Sequence, residues 1–380
     1  MNKIDLYKRC IICINRLQTI CLQSMISIMY RKKSRKMARN FPLVSNEIEW
    51  QMKWRIIQKK PDINSYRYYA NYIGPNIDIM TDEIIRNYIL PILNPSFLRS
   101  FYNDKNMFDK IFGHVLPKTL LRRIRGLYYD SEYNVLLKDN LNLIDCLVGH
   151  DRIIIKPSIE TSGGQGVVLF EFVGGKYIQY STSEELNIDW LENRFGSDFI
   201  IQDAIKQSSY MEQFNEKSVN TLRMHVYRSV RTGEPHVIGT VLKIGVSGSV
   251  VDNVVSGGGF VGVNHLGILD KKVFTRNNEA VECFNKIDFF VNTFQIPNYD
   301  KICSFAKGVS KNVPYHHSHA MDIALDENNN PVLIEVNYRS MGIDLYQQTS
   351  TPVFGKFTDE VIDYCAAHKK DILFVNTELF

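Results

Sequence analysis

The chain has no cysteine framework. Its 7 cysteines are odd in number and fall at no regular spacing, and no cleavable secretory leader is recognisable. A disulfide-stapled extracellular scaffold is therefore excluded, and reduced thiols in a cytoplasmic protein are expected. Cys10-x-x-Cys13 lacks a second pair to complete four zinc ligands. Internal repeats, low-complexity tracts and a collagen-like period are absent too. No G-x-G-x-x-G follows a strand, and no G-x-x-x-x-G-K-[ST] occurs, so two common phosphate-binding signatures are missing. Nor is there a clean spanning segment. The apolar stretch over residues 10–30 is interrupted by Arg16, Gln18 and Gln23, whereas a membrane-crossing helix wants about 20 predominantly apolar residues.

What is present suits a globular protein of two or three domains: 380 residues, 44% hydrophobic and 23% charged, with 21 Phe and 20 Tyr to fill a core. The net charge of +4 conceals an asymmetry. Residues 1–60 carry 14 Lys and Arg against 3 acids, and the remainder carries 31 against 38. A basic arm thus precedes a mildly acidic body, and such an arm meets anionic surfaces. Contact with an anionic membrane through residues 1–40, at the inner face of the membrane, is expected; nucleic acid is not. Arg31-Lys32-Lys33-Ser34-Arg35-Lys36 follows the apolar stretch directly, as in an interfacial helix. The alternative is a helix that docks on the rest of the chain.

Residues 47–103 read as mainly helical, punctuated at Pro61, Gly74-Pro75, Pro91 and Pro95. From about residue 151 the pattern turns to strands, at 152–156, 167–173, 199–202, 222–230, 237–244, 321–325 and 332–336. Helical periodicity returns at 280–294, 301–313 and 359–368. Strands and helices mix without strict alternation, so the class is α+β.

Four stretches carry chemistry. Lys156-Pro157 followed by Gly163, Gly164, Gln165 and Gly166 puts a lysine at a strand end beside glycines whose backbone N–H groups can face a phosphate; otherwise it is a plain glycine-rich hairpin. Residues 321–337 read as a hairpin with an Asp-Glu-Asn-Asn-Asn-Pro turn. Asp322 starts one strand. Glu335 and Asn337, two apart, share a face of the other, and the set offers hard oxygen ligands for Mg²⁺. Glu335 stands inside Val-Leu-Ile-Glu-Val, where a carboxylate wants a partner or a metal. Arg223, in a strand, is either a fork for a phosphoryl group or a structural ion pair. The Gly257-Gly258-Gly259 turn after Asn253 and Ser256 is an anion contact or a bulge. His316, His317 and His319 are a zinc candidate without a fourth ligand, or ordinary strand residues.

In this order the stretches resemble the ATP-grasp superfamily, and more narrowly the sugar-transfer-associated ATP-grasp proteins of surface-polysaccharide clusters. The carrying residues are Asn103-Asp104-Lys105-Asn106, the 156–167 loop, Ile201-Gln202-Asp203-Ala204-Ile205, Asn220-Thr221-Leu222-Arg223, Asp252-Asn253 with Gly257-Gly258, and Ile334-Glu335-Val336-Asn337. The likeness spans roughly residues 60–365. It implies an ATP-grasp fold of two α+β lobes behind a helical N-terminal region: an arm at 1–40, a helical region at 41–104, lobes at 105–200 and 201–368, and a tail at 369–380. It implies that Lys105 and Lys156 contact ATP phosphates under a lid of Gly163, Gly164, Gln165 and Gly166. The backbone of Asp203 and Ile205 would hold adenine, with Gln202 where many relatives have Glu, and Glu212 is the ribose candidate. Asn253, Ser256, Gly257, Gly258 and Arg339 would meet substrate. Asp322, Glu335 and Asn337 would hold one or two Mg²⁺ ions, with Mn²⁺ as a substitute, and Arg223 with Lys156 would act on the transferring phosphoryl. The implied activity is a carboxylate–amine ligase working through an acylphosphate on a small-molecule or saccharide carboxylate and amine. A hydroxyl phosphotransferase and a non-catalytic nucleotide-binding scaffold are the alternatives. The helical start departs from superfamily habit and leaves the substrate open.

Overall fold

The computed structural model describes residues 3–39, 41–96, 99–159, 166–246, 257–275, 279–349 and 351–372. Gly163, Gly164, Gln165, Asn253 and Ser256 lie outside the described residues.

Two seven-stranded sheets form the body. The first contains β1 (Thr119–Ile124), β2 (Leu127–Tyr129), β3 (Val135–Leu136), β4 (Arg152–Pro157), β5 (Val168–Val173), β6 (Lys176–Gln179) and β7 (Phe199–Asp203), in the order β3-β2-β1-β7-β4-β5-β6. The second contains β8 (Thr221–Arg228), β9 (Pro235–Ile244), β10 (Gly259–Val263), β11 (Leu269–Thr275) and β12 (Ala280–Val281). Past the short hairpin of β13 (Cys283–Phe284) and β14 (Ile287–Asp288) come β15 (Ser318–Leu325) and β16 (Pro331–Asn337), giving the order β12-β11-β10-β9-β8-β15-β16.

Period-2 alternation splits each sheet into a core face and an open face. In the first sheet Ile153, Ile155, Phe199 and Ile201 pack under Leu143, Leu147 and Leu191 of two helices. Lys156 lies opposite Ile200 and Ile154 opposite Gln202, so these side chains share the other face. In the second sheet Leu222, Met224, Leu242, Met321 and Ile323 pack beneath Ile302, Ala306 and Val309 of the helix Tyr299–Lys311. The opposite face carries Arg223 paired with Asp322, and Asp322 paired with Glu335.

The strand and helix expectations hold, with two differences. Asp322 does not start its strand; it is the fifth of eight residues, because Ser318 through Met321 already pair with β8. Tyr299–Lys311 and Thr358–Ala367 are helical as expected, but 280–294 is not. It forms β12, β13 and β14, because Asn285 and Lys286 both take left-handed backbone (φ 50° and 67°) between the paired residues Phe284 and Ile287. That is the geometry of a two-residue hairpin turn, which no helix can contain. The Asn285 amide fixes it by donating to Phe214 and Gly245 carbonyls at 3.0 and 2.8 Å.

The described residues of 41–104 are mainly helical, with helices at Glu47–Trp54, Ile63–Ile73 and Leu90–Leu93. Trp50 stacks on Tyr66 at 4.6 Å, and the indoles of Trp50 and Trp54 donate to the Ile79 and Ile77 carbonyls. This layer shares one core with the helices Ile343–Thr349 and Thr358–Ala367. A long helix, Lys3–Met37, lies along it, touching Ile63–Ile73 and the turns from residue 82 onward.

Candidate active site

The site assembles where the open faces of the two sheets meet. Lys156, next to last in β4, is buried. Burial first, then the charge of Lys105, push its ammonium down to about 8, with Glu335 opposing them. Lys105 opens a 3-10 turn capped by Asp104, whose carboxylate accepts from the Asn106 N–H. The Lys105 backbone N–H donates to the Ser158 carbonyl at 2.9 Å, just past β4. Its Nζ stands 3.2 Å from Glu335 Oε1 on β16. One residue therefore ties the first sheet to the second, and the two lysines and Glu335 form a single electrostatic group.

On the second sheet Arg223 makes a fork to Asp322, Nε–Oδ1 2.8 Å and NH2–Oδ2 2.6 Å. Lys243 Nζ lies 3.6 Å from Asp322 Oδ2 and 3.4 Å from the Thr221 hydroxyl. Burial opposes ionisation of Asp322, but Arg223 and then Lys243 outweigh it and hold the carboxyl at about 2. The arginine is held well above its ordinary value by the same pair, against burial. Gly342 stands against this arginine: a Cβ there would approach Arg223 to 3.5 Å and Leu345 to 2.9 Å, in a backbone (φ +69°) that favours glycine.

Lys105, Lys156, Arg223 and Lys243 thus face Asp322 and Glu335. Four cationic side chains brought together in this way are the donors that a polyanion such as a triphosphate binds. No three His, Cys, Asp or Glu side chains converge as a metal cage among the described residues. The donors still fit Mg²⁺ in one manner: few protein oxygens, the rest of the shell from phosphates and water. Asn337 completes the row, and its Nδ2 is buried without a partner among the described residues. Turned about its last torsion, the amide offers Oδ1 to that space.

The hinge strand is partly in place. Gln202 Nε2 donates to the Pro117 carbonyl and the Thr119 hydroxyl at 3.2 and 3.4 Å, so Oε1 is the atom left to accept. The Asp203 N–H is already spent on the Lys118 carbonyl, and its carboxylate pairs with His150. Ile205 N–H has no acceptor among the described residues. Gly166 takes φ +78° with Pro157 3.1 Å from its Cβ direction, so the loop's exit requires glycine. Gly257 has φ +99° and is exposed, and Gly258 is buried.

Glu212 is exposed on the helix Ser209–Glu212, near Lys206. Arg339 is exposed and sits near Tyr30 of the N-terminal helix. His316 and His319 bond to the Pro95 carbonyl and the Ser310 hydroxyl, and His317 to the Arg228 carbonyl, so they are packing residues. Lys243 escaped the sequence reading. Its signal was a charge inside Val-Leu-Lys-Ile, the test that singled out Glu335.

Among curated proteins none matches this chain. Several solved structures are similar at low identity. The ATP-grasp ligase PsnB in complex with minimal precursor is 12% identical over 72% of this chain and 63% of its own, TM-score 0.35. This chain thus spans less than two thirds of that protein. D-alanine–D-alanine ligase from Bacillus anthracis is 15% identical over 71% and 69%, TM-score 0.37. The biotin carboxylase domain of Hydrogenobacter thermophilus 2-oxoglutarate carboxylase, solved with MgADP, is 12% identical over 72% and 48%, TM-score 0.39. A family model matches residues 85–357, nearly three quarters of the chain and all of the site above. The chain belongs to the sugar-transfer associated ATP-grasp family.

Proposed function

We propose that this protein is an ATP-dependent carboxylate–amine ligase that works in the cytoplasm on a sugar acid or amino-acid substituent of cell-surface polysaccharide. The observation that carries the reading is the convergence of Lys105, Lys156, Arg223 and Lys243 on Glu335 and Asp322, which joins the two sheets. Lys105 and Lys156 bind the phosphates of ATP. Ile205 N–H and Gln202 Oε1 take the adenine edge. Asp322, Glu335 and Asn337 would hold Mg²⁺, which supplies charge neutralisation on the phosphates when bound. Arg223 orients the transferring phosphoryl group and stabilises its charge.

The chemistry balances in two steps. A carboxylate oxygen of the substrate bonds to the γ-phosphorus as the bond to ADP breaks. An amine nitrogen then bonds to the acyl carbon, the carbon–oxygen bond to phosphate breaks, and the amine gives up a proton. Burial of Lys156 and Asp322 keeps water from this interval.

The test is release of ADP and phosphate by purified protein with Mg²⁺, screened over paired acids and amines. Equimolar ADP and phosphate, formed only when both partners are present, support the ligase. ADP without phosphate, with a hydroxyl acceptor, would replace it by a phosphotransferase. No release with any pair, despite nucleotide binding, would leave a nucleotide-binding scaffold.

A further inference from the structure

The N-terminal helix is inverted relative to an ordinary helix of a globular protein. Amphipathic helices bury the apolar stripe and expose the polar one. Here Asn15, Thr19 and Ser34 are buried, and the docking contacts are polar. Gln23 Nε2 donates to the Asn87 carbonyl, and the Asn87 amide donates to the Gln23 carbonyl and the Ser27 hydroxyl at 3.1 and 3.0 Å. Arg31 Nε meets both oxygens of buried Glu83 at 3.1 and 2.9 Å, and the Ser34 hydroxyl meets Asp62. On the outer side Ile14, Leu17, Ile20, Met25, Ile28 and Met29 are 54–70% exposed. Nothing among the described residues covers them.

At about 3.6 residues per turn, Lys32, Arg35 and Lys36 continue the direction of Ile14, Leu17, Met25 and Ile28, and all three are exposed. A second apolar stripe, Leu43, Ile48, Met52 and Ile56, is exposed in the same N-terminal region beside exposed Arg55 and Lys59. Residues 1–40 carry ten Lys and Arg against one Asp. Outward apolar side chains joined to outward cations match a surface that is greasy below and negative at its rim.

By length and composition Ile12–Met37 is apolar enough to cross a membrane. A crossing helix would meet hydrocarbon on every side. This one is held by the body along one side from Asn15 to Ser34, and only its other side is free.

We propose that this outer face lies flat on an anionic phospholipid bilayer, the apolar stripe at the acyl boundary and Lys32, Arg35 and Lys36 among the headgroups. The lipid contact stands without the ligase reading.

The experiment is flotation of the full chain with phosphatidylcholine vesicles, with and without phosphatidylglycerol, at low and high salt. Three proteins are compared: wild type; Leu17→Glu/Met25→Glu/Ile28→Glu on the outer face; and Lys32→Glu/Arg35→Glu/Lys36→Glu. Thermal melting and nucleotide binding report that the variants are folded, since all six positions are exposed. Wild type should float with the anionic vesicles only and be weakened by salt. The apolar variant should lose binding by more than about tenfold, and the charge variant by roughly fivefold per reversed residue. Three outcomes overturn the proposal. Equal flotation of wild type and apolar variant is one. Salt-resistant binding to neutral vesicles, which marks a spanning helix, is another. The third is a lipid-free dimer that the apolar variant converts to monomer while wild type never floats.

Discussion

Lys156 is the residue whose chemistry the site bends most. With its ammonium near 8 through burial and Lys105, it is charged below about pH 7 and increasingly neutral above 8. A triphosphate binds the charged form and raises the value again, so binding above pH 8 must draw in a proton. Affinity for a non-hydrolysable ATP analogue should fall with rising pH from about 8, by up to tenfold per unit for one coupled proton. Calorimetry in buffers of different ionisation enthalpy should show that uptake in wild type and none in Lys156→Ala. Uptake unchanged in the variant would move the proton elsewhere. The two carboxylates should part company under mutation. Glu335→Gln keeps an acceptor for Lys105, so stability should stay within about 1 kcal/mol, while turnover falls on the order of 10²-fold or more. Asp322→Ala leaves the largely buried Arg223 without its counter-charge and should cost about 3 kcal/mol in urea unfolding. Equal stability of the two variants would dissolve the distinction. Glu335 was legible from its place in an apolar strand. The Arg223–Asp322 fork was not, because it depends on β8 and β15 pairing in one register, and one-strand patterns carry no register.

At the scale of elements, long strands were easy to read because alternation is a property of the strand itself. Short apolar runs are ambiguous between helix and strand, which is how 280–294 misled. Val281, Phe284 and Ile287 recur at helical spacing, and the turn that overrides them is Asn-Lys rather than Asn-Gly. The N-terminal helix shows the converse limit. Its existence was visible and its orientation was not, since the side that docks is chosen by Asn87, Glu83 and Asp62 from distant segments. If those polar contacts hold it, Arg31→Ala, which strips buried Glu83 of its ion pair, should cost about 1–3 kcal/mol. Amide exchange across Lys3–Met37 should then accelerate, and trypsin should cut sooner at Lys32 and Lys33. An unchanged exchange pattern would mean that other contacts dock the helix.

Across the whole molecule, the question is how two sheets act as one site. The first sheet supplies Lys156 and Gln202, the second supplies Asp322, Glu335 and Arg223, and Lys105 bonds to both through its backbone N–H and its ammonium. Each carboxylate is compensated within the protein: Glu335 by lysine, Asp322 by arginine. A nucleotide carrying Mg²⁺ would exchange these partners, lysines going to phosphate and carboxylates to the metal, so its binding energy is shared between lobes. A ligand that binds only the assembled pair raises the opening energy of both lobes together, by an amount fixed by its concentration over Kd. Hydrogen exchange with an ATP analogue and Mg²⁺ should therefore slow in β4 and in β16 alike, and in residues 163–166, the expected lid over the phosphates. The analogue with EDTA should protect β4 much more than β16, since without the metal Glu335 and Asn337 gain no partner. Lys105→Ala should reduce protection at both strands, because the link between them is gone. Protection confined to one sheet with Mg²⁺ present, or protection of β16 indifferent to the metal, would show that phosphate and metal ligands do not belong to one site.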